Sequence, residues 1–125
     1  MVRVTVERAS DGGISGFKAS GHTGCGTAGQ DIVCAAVSAL TQTAVLGLQD
    51  HLGIAVALTA GPGLLQCRLP AGVPDASRLR AQDILETMCL GLEAVAAQRP
   101  RAIRLRGARP PARGQGDGDH DPLGI

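Results

Sequence analysis

Twice in this chain two short stretches of period-two alternation are followed by one stretch of helical periodicity, and a further alternating stretch closes the pattern. That order admits few folds. Val2, Val4 and Val6 alternate with Arg3, Thr5 and Glu7, the period of a half-buried strand. Ser10-Asp11-Gly12-Gly13 supplies turn residues, and residues 14–20 return as the second strand of a hairpin, with Phe17 and Ala19 on one face. From residue 32 to about 49 only Gly47 weakens a helix. Val33, Ala36, Val37, Leu40, Ala44 and Leu48 form an apolar stripe that Ile32, Ala35 and Ala39 widen, which predicts a largely buried helix.

The second unit repeats the order. Strands are expected at residues 54–58 and 64–69, joined by a turn at Gly61-Pro62-Gly63. A helix follows from about residue 75 or 77 to 98, where Leu85, Met88, Cys89, Leu92 and Val95 recur at helical spacing against Arg80, Asp83, Glu86 and Glu93, and Pro100 stops it. Residues 102–106 alternate Ile103 and Leu105 with arginines, a short final strand. The expectation is an α+β fold: two strand-strand-helix units plus a final short strand, with the helices packed on a mixed, mostly antiparallel sheet.

A chain of 125 residues supports one domain with a modest core. Its one aromatic residue, Phe17, leaves that core to Val, Leu, Ile and Ala. Residues 1–106 carry the periodic pattern, whereas 107–125 are Arg, Pro, Gly and Asp with little to bury, the composition of a disordered tail. A formal net charge of +1 does not make the whole chain an electrostatic nucleic-acid binder. Arg99, Arg101, Arg104, Arg106, Arg109 and Arg113 do cluster, but without interleaved aromatics they read as a solvated edge strand and tail, so direct nucleic-acid binding is not expected. No leader-like opening and no run of eighteen apolar residues is present, which argues for a cytoplasmic, reduced protein with free thiols and no membrane partner.

The chemistry sits between the first hairpin and the first helix. Gly21-His22 opens a loop containing Gly24, Gly26 and Gly29, and eleven residues separate His22 from Cys34. Asp31 is placed to cap the helix, which puts Cys34 in its first turn, where unspent N–H groups and the helix dipole favour an anion. A helix terminus is worth about 0.3 to 1 kcal/mol, less than one pKa unit, so a second cation is needed to make the thiolate available, and His22 is the one in this segment. The inferred chemistry has Cys34 attack a carbonyl, His22 move the proton, and backbone amides near the helix start or at Gly29-Gln30 meet the oxyanion. Asp31 either caps the helix or orients the imidazole. The four loop glycines suggest a flexible segment that closes over Cys34 when peptide binds. Zinc is not expected: His22, Cys25 and Cys34 match no common ligand spacing, and no cofactor motif occurs.

Gly21-His22, eleven residues, then Cys34 within Gly29-Gln30-Asp31-Ile32-Val33-Cys34-Ala35-Ala36-Val37-Ser38-Ala39-Leu40 resembles the signature of the ribosomal-processing cysteine protease family, Prp. The resemblance covers residues 1 to about 106. It implies a Cys34–His22 pair with Asp31 as a contributor, a homodimer of α+β sandwich subunits, and removal of an N-terminal extension from a large-subunit ribosomal-protein precursor. The loop differs from many relatives in having Cys25, Gly26 and Thr27 where an aromatic residue is common. Two rival readings remain: a non-catalytic, ribosome-associated RNA-binding module, and a thiol redox sensor in which Cys25 resolves Cys34.

Overall fold

The computed structural model describes residues 1–21 and 28–109, with residues 28–31 described through their backbone. The elements are β1 (Val2–Arg8), β2 (Ile14–Ser20), α1 (Ala28–Leu46), a π-helical turn (Gly47–His51), β3 (Ala57–Gly61), β4 (Leu64–Arg68), α2 (Asp75–Gln98) and β5 (Ile103–Arg106). The strands lie in the order β3-β4-β2-β1-β5, all neighbours antiparallel except the parallel β1–β5 pair. The expected mixed, mostly antiparallel sheet is therefore present. Each helix is the crossover between two parallel but non-adjacent strands: α1 carries the chain from β2 past β4 to β3, and α2 carries it from β4 past β2 and β1 to β5.

Register explains which residues are buried. Val4 pairs with Ala19, Val6 with Phe17, and Phe17 with Cys67, so one face of the sheet is a continuous apolar surface. Val33, Val37, Ala44, Val45 and Leu48 of the first helical segment and Ala81, Leu85, Met88, Cys89 and Leu92 of α2 close over it. Phe17, completely buried, is the largest side chain in this otherwise aliphatic core. The opposite face carries Arg3, Lys18, Arg104 and Arg106, all exposed, so the arginines expected at a solvated edge strand are on β5's outer side.

Three expectations are corrected. The first helix begins at Ala28, earlier than the predicted 32, because the Gly29-Gln30 segment continues the helix instead of ending a loop. Its apolar girdle is not wholly buried: Ile32 is 61% exposed, and Ala35 and Ala39 also face outward, because one sheet and one neighbouring helix cover only part of the circumference. The third strand begins at Ala57, not at 54. Its predicted start is occupied with ending the helical segment, where the N–H groups of Leu52, Gly53 and Ile54 donate to the carbonyls of Gly47, Gln49 and Leu48. Ile54 is buried as a plug beneath that turn, so its apolar side chain serves packing and not strand pairing. The stretch Ile32–His51 is long and apolar enough to cross a membrane, but the five core residues named above account for that composition.

Candidate active site

Gly21 ends β2 and fixes where the His22 segment departs. Its φ of +81° is one that side-chain-bearing residues rarely adopt, and a Cβ here would lie 2.5 Å from the Met1 carbonyl oxygen. Its N–H donates to the Gly63 carbonyl at 3.0 Å, tying the root of the segment to the β3–β4 turn. No local sequence signal joins residues 21 and 63. The turn residues Gly61-Pro62-Gly63 mark a bend, but not the neighbour it touches.

Cys34 is 8% exposed and lies on α1. Since the helix starts at Ala28, Asp31 is its fourth residue and not its N-cap, and Cys34 is its seventh, in the second turn. This corrects the capping expectation and weakens the dipole argument, because the terminal field falls off within the first turn. What remains is geometric. The amides of residues 28–30, the first three of the helix, have no i−4 carbonyl within it, and Gln30 lies four residues before Cys34 on the same helical face. The Cα–Cβ bond of a helical residue tilts toward the N-terminus, so Cys34 leans toward those amides. Gly29 and Asp31 belong to that turn. His22, Gly24 and Gly26 lie outside the described residues, as does Cys25, so the expected Cys34–His22 meeting and the flexible glycine segment do too.

The cysteines divide by state. Cys34 takes part in a disulfide, which corrects the expectation that all thiols are free. Cys67 and Cys89 are free and almost fully buried. Burial pushes the Cys67 thiol up to about 11. Cys89 rises to about 12, first through burial and then through the nearby Glu86 carboxylate, with Arg8 pulling the other way. Both are packing residues with no thiolate at neutral pH. Among the described residues no group of His, Cys, Asp and Glu could hold a metal ion. Cys34 is thus the described cysteine that lies near the start of a helix.

The family profile described as Cysteine protease Prp matches residues 1–104. The chain is 32% identical over 97 residues to the ribosomal processing cysteine protease Prp of Bacillus subtilis (strain 168), covering 76% of this chain and 87% of that protein. Its fold is similar to the essential ribosomal processing protease Prp from S. aureus solved with a substrate peptide, at a TM-score of 0.74 and 25% identity over 84% of this chain and 97% of the other. The same S. aureus protease with a covalently linked product peptide gives a TM-score of 0.72 and 26% identity over 85% and 98% of the two chains. With the profile spanning strands, helices and Cys34 alike, the chain belongs to the cysteine protease Prp family.

Proposed function

We propose that this cysteine protease removes the N-terminal extension of a large-subunit ribosomal-protein precursor during ribosome maturation, with Cys34 as nucleophile and His22 as its proton partner. The observation that carries the reading is the position of Cys34, one turn beyond the helix-start amides, in a fold shared with a protease solved with a substrate peptide and with a covalently linked product peptide. The reduced Cys34 thiolate attacks the scissile carbonyl carbon, forming a C–S bond and an oxyanion that the amides of residues 28–30 receive. The C–N bond then breaks as the His22 imidazolium gives its proton to the departing amine. Water, deprotonated by His22, attacks the thioester, the C–S bond breaks, and the carboxylate product leaves with thiolate and imidazolium restored. Asp31, two residues into the turn that follows Gly29, supports the imidazole in this reading. Ribosome maturation places the reaction in the cytoplasm, with the protease acting as a homodimer.

The disulfide at Cys34 favours one second reading, a thiol redox sensor. In the protease reading the oxidised form is inactive, and a dithiol reductant supplies the two electrons that return Cys34 to a thiol. Replacing Cys25 with Ser separates the readings. A protease keeps cleaving its precursor after C25S, whereas a sensor that uses Cys25 to resolve Cys34 loses its response. The direct test is mass-spectrometric cleavage of the matching precursor by the reduced chain and by C34A and H22A.

A further inference from the structure

An open apolar groove of about 340 Å³ lies between the C-terminal half of α1 and the β3–β4 hairpin, lined by Gln42, Val45 and Leu46 on one side and Leu58, Ala60 and Leu64 on the other. Gln42 is the one polar side chain among these six. Two of the apolar ones are large and solvent-facing: Leu46 is 55% exposed and Leu58 is 43% exposed. Along the groove runs β3, Ala-Leu-Thr-Ala-Gly, exposed at every position and paired on one side only, to β4. Among the described residues its outer N–H and C=O groups meet no strand, and no charge, proline or bulge within it blunts that edge. An uncharged free edge is a template for an extended chain.

The groove is aligned with the nucleophile. Val45 follows Cys34 by eleven residues, which at 3.6 residues per turn returns it to within about 20° of the same helical face, about 16 Å further along the axis. An extended polypeptide covers about 16 Å in roughly five residues. The groove's Gly61–Leu64 rim is also the segment that holds Gly21, where the His22 segment begins. The cavity's size is at the low end of ligand pockets, suited to one large side chain.

We propose that the groove and the β3 edge bind the substrate polypeptide in extended form and seat a large apolar side chain four to five residues from the scissile bond. The occupant rests on the protease reading above, since it is the chain that Cys34 cleaves. Backbone pairing to β3 provides affinity, and the groove selects the side chain. Leu46 and Leu58 are specificity residues and take no part in the bond-breaking steps.

The test uses two peptides spanning the cleaved junction of the matching precursor, a long one with seven residues on each side and a short one with three. The reduced wild-type chain is compared with L46S and L58D, both at exposed positions, with thermal melts to check folding. The expected result is a roughly tenfold fall in kcat/KM on the long peptide, carried by KM, with the short peptide unchanged. A serine scan of the long peptide then loses affinity at an apolar residue four or five positions from the junction. Binding of the long peptide to C34A, read by fluorescence anisotropy, weakens in the same way when L58D is added. Equal cleavage of the long peptide by wild type and both variants overturns the proposal. So does a change from dimer to monomer in sedimentation with peptide kinetics unaltered, which assigns the groove to a second copy of the chain. If the reduced wild type cleaves neither peptide, the protease reading itself fails and this inference falls with it.

Discussion

Arg8 uses all five of its N–H donors inside the fold. Nε donates to the Gly107 carbonyl at 2.9 Å, Nη1 to Gly12 O and Glu86 Oε2 at 2.7 Å each, and Nη2 to Glu86 Oε1 at 2.9 Å and Ala108 O at 3.0 Å. One side chain thereby ties the β1–β2 turn, α2 and the residues after β5. The bond to Glu86, opposed by burial, holds the guanidinium above its ordinary value. Arg8→Met removes the charge and leaves three carbonyls and a half-exposed carboxylate without their donors, so unfolding in urea should show a loss of about 2–4 kcal/mol. Arg8→Lys should not recover it, because an ammonium lacks the planar fork. The free thiols give a second prediction. Both titrate higher when folded than the ordinary 9.0, so the stability they contribute is complete below pH 9 and is lost as pH rises towards 11 for Cys67 and 12 for Cys89. Alkaline denaturation should therefore be less steep in C67A and C89A, and neither thiol should react with iodoacetamide before unfolding. Cys34 was legible from its motif. Its burial was not, since that depends on how the helices close over the sheet.

At the scale of elements, the sequence marks what periodicity can mark. The hairpins and both helices follow from alternation, turn glycines and helical spacing, and β2 falls at the residues expected. Asp31 shows the limit. A good capping residue type with an apolar run after it reads as a helix start, but Gly29 and Gln30 extend the helix backward and leave Asp31 inside it. Residues 54–58 fail for a different reason: Ile54 is apolar because it plugs the core, while its amide completes a helix end. Gly21 gives the element-scale prediction. Gly21→Ala adds about 1–2 kcal/mol of backbone strain and a clash with the Met1 carbonyl, so the variant should melt lower and cleave precursor at least tenfold more slowly. Melting unchanged with wild-type activity would show that the β2 exit does not set the His22 segment.

Strand order belongs to the whole molecule, and no local pattern carries it. Val2 pairs with Ile103 and Arg3 with Arg104, residues that about a hundred positions separate, and only completed crossovers by α1 and α2 bring them together. Those crossovers also set the function. The β2–α1 passage leads from Gly21 to the helix of Cys34, and the α1–β3 passage leaves, among the described residues, a strand edge without a partner strand and an apolar groove beside that helix. We expect this arrangement to cut a peptide bond through Cys34 and His22. The most direct test is mass-spectrometric analysis of the matching ribosomal-protein precursor incubated with the reduced wild-type chain, C34A and H22A. Loss of the N-terminal extension is expected with wild type alone, together with a thioester-linked mass on Cys34 at short times. An intact precursor with all three, alongside alkylation of reduced Cys34 no faster than that of an ordinary thiol, would contradict it.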